Sequence, residues 1–106
     1  MDNPIAESFW EGKRILITGG SGFLGSHLVK YLIEKRHLCS GQIVTTSSAK
    51  DLRCLENCME ITRGIDIIAH LAANVGGIGY NQKNPGALFF DNLQMGLNMI
   101  EAAREA

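Results

Sequence analysis

The sequence is poor in the residues and patterns that mark several classes of protein. It has three cysteines among 106 residues, and an odd number does not fit a framework of disulfides. It has no apolar run near the about 20 residues of a membrane span, so we expect no membrane segment. Ten basic and eleven acidic residues leave a net charge of −1, which favours neither nucleic acid nor an anionic membrane as a partner. These absences leave a small globular domain with one hydrophobic core.

The N-terminal segment also lacks the features of a targeting sequence. Residues 1–12 have neither the basic nor the apolar region of a signal peptide, so we expect a cytoplasmic protein with reduced thiols. We interpret them as a polar tail, with Trp10 docked on the edge of a domain that covers residues 13–106. Cys54 and Cys58 could share a helix face, but no further ligands at metal-binding spacing are evident, so we predict no metal site.

Short apolar runs alternate with helical patterns along the rest of the chain. Strands are predicted at residues 14–18, 42–46 and 65–73. Helices are predicted at residues 22–36, 51–64 and 87–106. Buried parallel strands that are joined by helices build an open α/β sheet with right-handed crossovers. The predicted fold is therefore the N-terminal part of a Rossmann-type, doubly wound parallel sheet with flanking helices.

Two of the predicted helices have a clear apolar stripe. The stripe of the first helix is formed by Leu24, Leu28, Tyr31 and Leu32. One side of the last helix has Phe89, Leu93, Leu97, Ile100 and Ala103. We expect Phe89 and its neighbour Phe90 to be packing residues.

Four glycines stand within seven residues at the end of the first predicted strand, in the stretch TGGSGFLG. Glycine costs about 0.5–1 kcal/mol relative to alanine in regular structure, so the cluster needs a backbone reason. In the pattern G-x-x-G-x-x-G, Gly19 permits a tight turn, Gly22 lets the backbone approach a pyrophosphate, and Gly25 lets the helix pack closely. The phosphates then lie at a helix N-terminus, which favours negative charge. The alternative is a glycine-rich turn with no ligand; a Walker A loop is excluded because no Gly-Lys-Ser/Thr follows.

The glycine stretch and three later segments together indicate a family. TGGSGFLG (residues 18–25) resembles the T-G-x-x-G-x-x-G of the extended short-chain dehydrogenases/reductases, the NAD-dependent epimerase/dehydratase family. DLR (51–53), HLAA (70–73) and NLQMGLNMIEAA (92–103) are similar to further motifs of that family. Within it, residues 70–96 are most similar to the GDP-L-fucose synthase subfamily, which carries a V-G-G-I loop at this place.

A dinucleotide site follows from these motifs and from the residues after the second strand. The predicted cofactor-binding residues are Gly19, Gly20, Ser21, Gly22, Phe23, Leu24, Gly25, Ser47, Ser48, Lys50, Asp51, Leu52, Leu71, Ala72 and Ala73. The chain has no acid between the second strand and Asp51, whereas Ser47, Ser48 and Lys50 could meet a 2′-phosphate, so we expect NADP, with NAD possible. The resemblance implies that Asp51 contacts the adenine, and the same residue could cap the second helix.

Several other polar residues have more than one interpretation. We expect His70 to be a buried, hydrogen-bonded core histidine rather than a catalytic base. Asn92 is either a surface amide or, as the family pattern suggests, turned inward to satisfy backbone groups near the site. Residues 74–84 form a glycine-rich stretch that would face the nicotinamide and the sugar, or else a plain surface loop. If the second and third strands flank the first, the strand order reverses at the glycine turn, and ligands bind at such a point.

The resemblance implies an activity whose catalytic groups do not fall on this chain. The family's serine and Tyr-x-x-x-Lys pair follow the next strand and helix, and the one such spacing here, Tyr31 to Lys35, lies within the first helix. We therefore assign no catalytic residue and expect the NADP-binding N-terminal part of a homodimeric nucleotide-sugar epimerase/reductase, acting on GDP-4-keto-6-deoxymannose to form GDP-L-fucose. The alternatives are part of an NAD-dependent 4-epimerase or dehydratase, and a non-catalytic dinucleotide-binding module.

Overall fold

Three strands alternate with three helices in the computed structural model, which describes residues 9–46, 50–73 and 82–106. The strands are β1 (Ile15–Thr18), β2 (Ile43–Thr45) and β3 (Ile67–His70). The helices are α1 (Phe23–Lys35), α2 (Leu55–Ile61) and α3 (Pro85–Glu105). All six predicted elements are present, although the strands and α2 are shorter than predicted. Helix α3 begins earlier than predicted because Pro85 occupies its first turn, where the missing N–H costs no intrahelical bond.

The three strands form one parallel sheet in the order β2-β1-β3. In this sheet Ile15 of β1 lies opposite Ile43 of β2 and Ile67 of β3. All four residues of β1 are buried, as expected for the central strand of a sheet that is covered on both faces. The observed topology confirms the Rossmann-type fold and places the reversal of strand order at β1.

The core consists of two clusters, because successive side chains of β1 alternate between the faces of the sheet. Leu16 joins a cluster with residues of α2, of α3 and of the loop before α2: Leu52, Cys58, Met95, Met99 and Ala102. Ile15 and Ile17 join a second cluster with Leu32 and Leu38.

Trp10 packs against the second of these clusters. Its carbonyl oxygen accepts a hydrogen bond of 2.8 Å from Nε2 of Gln42. Nε2 of Gln42 also donates to the carbonyl oxygen of Lys13 at 2.9 Å. The docking expected for Trp10 is therefore present, and it fastens the chain before β1 to the chain before β2.

The predicted apolar stripes of α1 and α3 match the buried residues only in part. In α1, Leu32 is buried but Leu24 is 67% exposed. In α3, Phe89 and Phe90 are exposed rather than packed. The predicted side of α3 is exposed at Phe89, Leu93, Leu97, Ile100 and Ala103, whereas the buried face is formed by Leu88, Met95, Asn98, Met99 and Ala102. Helix α3 has apolar residues on two faces, and the sheet with α2 covers one of them.

No helix in the described parts of the chain is both long and apolar enough to cross a membrane.

Candidate functional site

The glycine turn lies where the three strands end together. Because the sheet is parallel, the carboxyl ends of β1, β2 and β3 meet at one edge. The strands β2 and β3 lie on opposite sides of β1, so the chain that leaves β1 enters a crevice at the point of reversed strand order. The residues that follow β1 and β3 are the glycine turn and the segment from Leu71 to Ala73.

Two glycines of this turn are required by the backbone itself. Gly19 has a φ of 70°, a left-handed conformation that side chains rarely adopt. A Cβ on Gly19 would also lie 3.0 Å from the amide nitrogen of Ala72. A Cβ on Gly25 would overlap the carbonyl oxygen of Gly19. The tight turn predicted for Gly19 and the close helix packing predicted for Gly25 are therefore both present.

The remaining glycines leave a surface without side chains at the start of α1. A Cβ on Gly20 would lie 2.6 Å from Cγ2 of Thr45, so β2 presses against the turn. Gly22 is the N-cap of α1, in an extended conformation, and makes no side-chain cap hydrogen bond. The amide groups of the first turn, at Phe23 and Leu24, are thus free of a capping side chain, and a helix end of this kind attracts an anion. The residues present fit a pyrophosphate.

A polar link joins the ends of β1 and β3 beside this turn. Oγ1 of Thr18 accepts hydrogen bonds from the backbone N–H groups of Leu71 at 3.0 Å and Ala72 at 3.1 Å. The same oxygen lies 2.7 Å from Nδ1 of His70. Since both lone pairs of the hydroxyl are used, it donates its proton to Nδ1, and we assign the neutral tautomer with its proton on Nε2.

The environment of His70 agrees with this assignment. Partial burial lowers the pKa of His70, because the charged imidazole would lose its hydration. His70 is therefore hydrogen-bonded, as expected, but half-buried rather than buried. Its role is to hold the hydroxyl of Thr18, which in turn fixes the backbone of Leu71 and Ala72 against Gly19.

The predicted residues after β2 are only partly described. Ser47 and Ser48 lie outside the described residues. Nζ of Lys50 lies 3.3 Å from Oε1 of Glu60 on α2. The cation that was predicted to meet a 2′-phosphate therefore already has an acidic neighbour.

Asp51 does not cap α2, so that interpretation is wrong. Helix α2 begins at Leu55 with Cys54 as its N-cap, and the Asp51 carboxylate turns back onto its own loop. Its Oδ1 accepts hydrogen bonds from the backbone N–H and Nε of Arg53, both at 3.0 Å, and its Oδ2 accepts from Nη2 at 3.1 Å. The bonds from the Arg53 side chain, followed by the bond from its backbone, hold the pKa of Asp51 below its usual value.

Arg53 also connects this loop to the last helix. Its Nη1 lies 3.6 Å from Oδ1 of Asp91 on α3. The ion pairs with Asp51 and Asp91 raise the pKa of the guanidinium, chiefly through the hydrogen bonds to Asp51. The loop before α2 is therefore attached to α3 by a charged contact at the surface.

Sequence reasoning missed Asn98, the buried amide of α3. Its Nδ2 donates to the carbonyl oxygen of Leu52 at 3.0 Å, and its Oδ1 accepts from Nε2 of Gln94 at 2.9 Å. Asn98 is only 6% exposed, and Asn92 is half-buried on the same helix, so both interpretations of Asn92 stay open. A signal was present, because Asn98 lies at helical spacing from Met95, with which it shares the buried face.

Two predicted features remain, the glycine-rich stretch after β3 and the absence of a metal site. Residues 74–81, most of the glycine-rich stretch, lie outside the described residues. The described residues contain no group of three His, Cys, Asp or Glu side chains that could hold a metal ion.

Comparison with known proteins agrees with this geometry. Residues 15–106 match the model of the NAD dependent epimerase/dehydratase family. The chain belongs to this family. The family resemblance expected from the motifs is therefore confirmed.

Individual relatives are about one third identical to the chain over the aligned residues. It is 35% identical over 112 residues to GDP-mannose 3,5-epimerase 1 of Oryza sativa subsp. japonica, which covers 92% of the chain and 30% of that protein. It is 30% identical over 95 residues to GDP-L-fucose synthase of Dictyostelium discoideum. That alignment covers 88% of this chain and 30% of the Dictyostelium protein. The chain thus spans 30% of the length of these curated relatives.

Solved structures show the same fold. The chain superposes on a GDP-L-fucose synthetase from Naegleria fowleri with a TM-score of 0.68 at 26% identity, over 88% of this chain and 27% of that one. The dTDP-glucose 4,6-dehydratase DesIV from Streptomyces venezuelae, solved with NAD bound, superposes with a TM-score of 0.70 at 22% identity. This superposition covers 88% of this chain and 36% of the DesIV chain. The second likeness establishes the fold alone.

Proposed function

We propose that this chain is the NADP-binding N-terminal part of a nucleotide-sugar epimerase/reductase that converts GDP-4-keto-6-deoxymannose to GDP-L-fucose. The observation that carries the proposal is the glycine turn at the point of reversed strand order. Side chains are sterically excluded at Gly19, Gly20 and Gly25, and α1 begins without a capping side chain. Such a surface suits the two phosphates of a dinucleotide.

Each part of the site has a separate task in this proposal. The backbone from Gly19 to Gly25 binds the pyrophosphate, and Asp51 with Leu52 lies at the adenine. Leu71 to Ala73 line the crevice beside the turn. When bound, NADPH supplies a hydride to the C4 ketone of the sugar, and a proton added to the ketone oxygen completes the alcohol.

The substrate class is proposed from the relatives. The rice and slime-mould relatives are both named for reactions of GDP-sugars, so we propose a GDP-sugar as the substrate. A second candidate activity is 3,5-epimerisation of GDP-mannose, favoured by the match of the rice epimerase to 92% of the chain. The two activities differ in redox balance, because an epimerisation leaves the cofactor unchanged overall whereas formation of GDP-L-fucose consumes NADPH.

We further propose that residues outside this chain supply the catalytic acid. Reduction of a ketone needs a proton donor beside the carbonyl oxygen. Tyr31 and Lys35 have the family spacing, but Tyr31 is exposed on α1 and its ring lies 5.7 Å from the guanidinium carbon of Arg36. Tyr80 lies outside the described residues. We therefore expect residues 1–106 alone to bind NADPH without catalysing its oxidation.

The experiment uses the natural protein at its full length. It is incubated with GDP-4-keto-6-deoxymannose and NADPH, and in parallel with GDP-mannose; NADPH absorbance and the sugar products are followed. Oxidation of NADPH with formation of GDP-L-fucose supports the first proposal. Isomerised GDP-mannose without net oxidation supports the second. Tight NADPH binding with neither reaction would identify a non-catalytic module, and turnover by residues 1–106 alone would place the catalytic acid within them.

A further inference from the structure

The peptide group between Leu52 and Arg53 is held at both of its ends. Its carbonyl oxygen accepts hydrogen bonds from Nδ2 of Asn98 at 3.0 Å and from Sγ of Cys58 at 3.2 Å. Its N–H donates to Oδ1 of Asp51 at 3.0 Å. A peptide group is planar and rigid, so its C=O and N–H rotate as one unit. Any movement of the carbonyl therefore redirects the N–H that holds the Asp51 carboxylate.

Asn98 is itself held in one orientation. It is 6% exposed and lies on the face of α3 that packs in the core. Because Nε2 of Gln94 donates to Oδ1 of Asn98 at 2.9 Å, the NH₂ group of Asn98 is the end that faces Leu52. A thiol is a weak donor, so Asn98 rather than Cys58 is the main partner of this carbonyl. The bond joins residues 46 positions apart, which makes α3 the support of the loop before α2.

At the other end, Asp51 retains capacity for a further partner. Three hydrogen bonds from Arg53 occupy three of the about four acceptor sites of a carboxylate. The side chain is about half exposed, so a donor from solvent or from a ligand can reach the remaining site. The amino group of an adenine ring is a donor of this kind.

We infer that Asn98 is a positioning residue, which aims the Asp51 carboxylate at the adenine of a bound dinucleotide through the Leu52–Arg53 peptide group. This inference rests on the proposed function for the identity of the ligand. The geometric part, in which Asn98 controls the orientation of Asp51, does not depend on it. A purely structural role for Asn98 would lower the stability of the domain and leave the discrimination between ligands unchanged.

The first test compares ligands that differ only at the adenine amino group. NADPH and its hypoxanthine analogue, in which an oxygen replaces the amino group, are titrated calorimetrically into the natural protein and its variants. We expect the natural protein to prefer NADPH by about tenfold or more, the scale of one hydrogen bond to a charged group. Asn98→Leu should reduce this preference to about one.

Two further variants separate positioning from loss of stability. Met99→Ala is the matched control, because Met99 neighbours Asn98 on α3 and is buried in the cluster that contains Leu52. It should lower the melting temperature and keep the ligand preference. Gln94→Leu leaves Asn98 in place but removes the donor to its Oδ1, and it should reduce the preference even if Asn98→Leu does not fold. An unchanged preference in both the Asn98 and Gln94 variants would overturn the role at the adenine.

The second test needs no ligand. The Asp51 carboxyl is titrated by NMR in the natural protein, where we expect a pKa below the usual value, and in Asn98→Leu and Gln94→Leu. Loss of the correctly aimed Arg53 N–H should raise the pKa of Asp51 in both variants and leave it unchanged in Met99→Ala. If the natural protein bound neither dinucleotide, the proposed function would fail, yet this titration would still test the positioning. An identical Asp51 titration in all variants would overturn it.

Discussion

Neighbouring glycines of one motif meet different physical requirements. Gly19 has a positive φ, and Gly25 has no room for a Cβ. Gly22 has an extended backbone, with φ of −78° and ψ of −179°, which any residue adopts. The nearest atom to a Cβ at Gly22 would be the Gly19 carbonyl oxygen, at 3.3 Å. The fold therefore needs Gly19 and Gly25, whereas the proposed ligand needs Gly22.

Substitution of Gly22 tests the pyrophosphate site with little effect on the fold. In Gly22→Val the branched side chain would occupy the space of the phosphates, so we expect NADPH affinity to fall about tenfold or more. The melting temperature should change little, because the Gly19 carbonyl needs to shift only slightly. Calorimetric titration with NADPH and thermal unfolding measure the two effects.

The matched variant is Gly25→Ala, in which the new Cβ would overlap the Gly19 carbonyl. We expect it to lose stability as well as binding. Unchanged NADPH affinity in Gly22→Val would show that no phosphate lies at this turn.

The ion pair between Lys50 and Glu60 bears on the choice of cofactor. Exposed pairs of this kind contribute about 0.2–1 kcal/mol, so a 2′-phosphate can compete with Glu60 for Lys50. Glu60→Gln removes the competitor, and we expect about two- to fivefold tighter binding of NADPH with no change for NADH. The effect should be largest at low salt, where exposed charges are screened least.

The control for this prediction is Glu56→Gln, which removes the same charge from the same helix. It should leave the ratio of NADPH to NADH affinity unchanged. A ratio that shifts equally in both variants would indicate a general effect of net charge, and tighter binding of NADH by the natural protein would overturn the NADP proposal.

Among the secondary-structure elements, β1 and β3 are joined by more than their backbone ladder. Thr18 links the end of β1 to His70, Leu71 and Ala72. Since the hydroxyl of Thr18 donates to Nδ1, a proton on that nitrogen would leave two donors facing each other. The link therefore requires neutral His70.

The neutral state of His70 makes stability depend on pH. Burial lowers the folded-state pKa of His70 below the ordinary value of 6.5, so below about pH 6.5 the unfolded chain binds more protons than the folded one. The stabilisation is complete above pH 6.5, declines as the pH falls from there to the folded-state pKa, and levels off below it. Urea unfolding of the natural protein from about pH 8 to pH 5 should show this decline.

The variant His70→Asn keeps a neutral acceptor for Thr18 and removes the titrating ring. We expect a smaller loss of stability on acidification in this variant. His27→Asn, at an exposed position of α1, should retain the decline of the natural protein. Equal slopes in His70→Asn and the natural protein would show that other groups cause the pH dependence.

At the scale of the whole molecule, α3 has an apolar face that the described residues do not cover. Leu97 is 54% and Ile100 70% exposed, on the opposite side of the helix from Met95 and Met99. The outer edge of β3 has no neighbouring strand among the described residues. Exposed apolar faces and strand edges promote association. We propose that the complete protein is the homodimer that the family resemblance implies, and that this face of α3 is buried in its interface.

Residues 1–106 expressed alone should therefore self-associate. We expect sedimentation velocity to show oligomers or aggregates, and the double variant Leu93→Glu with Leu97→Glu to shift the distribution toward monomer. Ile33→Glu serves as the control, because Ile33 is an exposed apolar residue of α1 and its replacement should not reduce association. A monodisperse monomer with cooperative thermal unfolding in the unmodified chain would contradict the prediction.

Much of the fold and of the glycine turn could be predicted from the sequence, because these features depend on local rules. The spacing of apolar residues distinguishes short strands from helices within a window of about 11–18 positions. The run from Gly19 to Gly25 follows a strand and precedes a helix, and backbone sterics then restrict what the turn can be. The order of elements and the family follow from this information alone.

The tertiary structure decided which side chains those elements bury and where polar groups meet. Helix α3 has apolar residues on the face that contains Phe89 and on the face that contains Met95. Periodicity cannot show which face is buried, because that depends on where the sheet lies. The same placement brings Asn98 to the carbonyl oxygen of Leu52. It also turns Asp51 toward Arg53 instead of the start of α2. Each of these outcomes depends on contacts between distant segments or on loop geometry. Local sequence patterns do not show either of these.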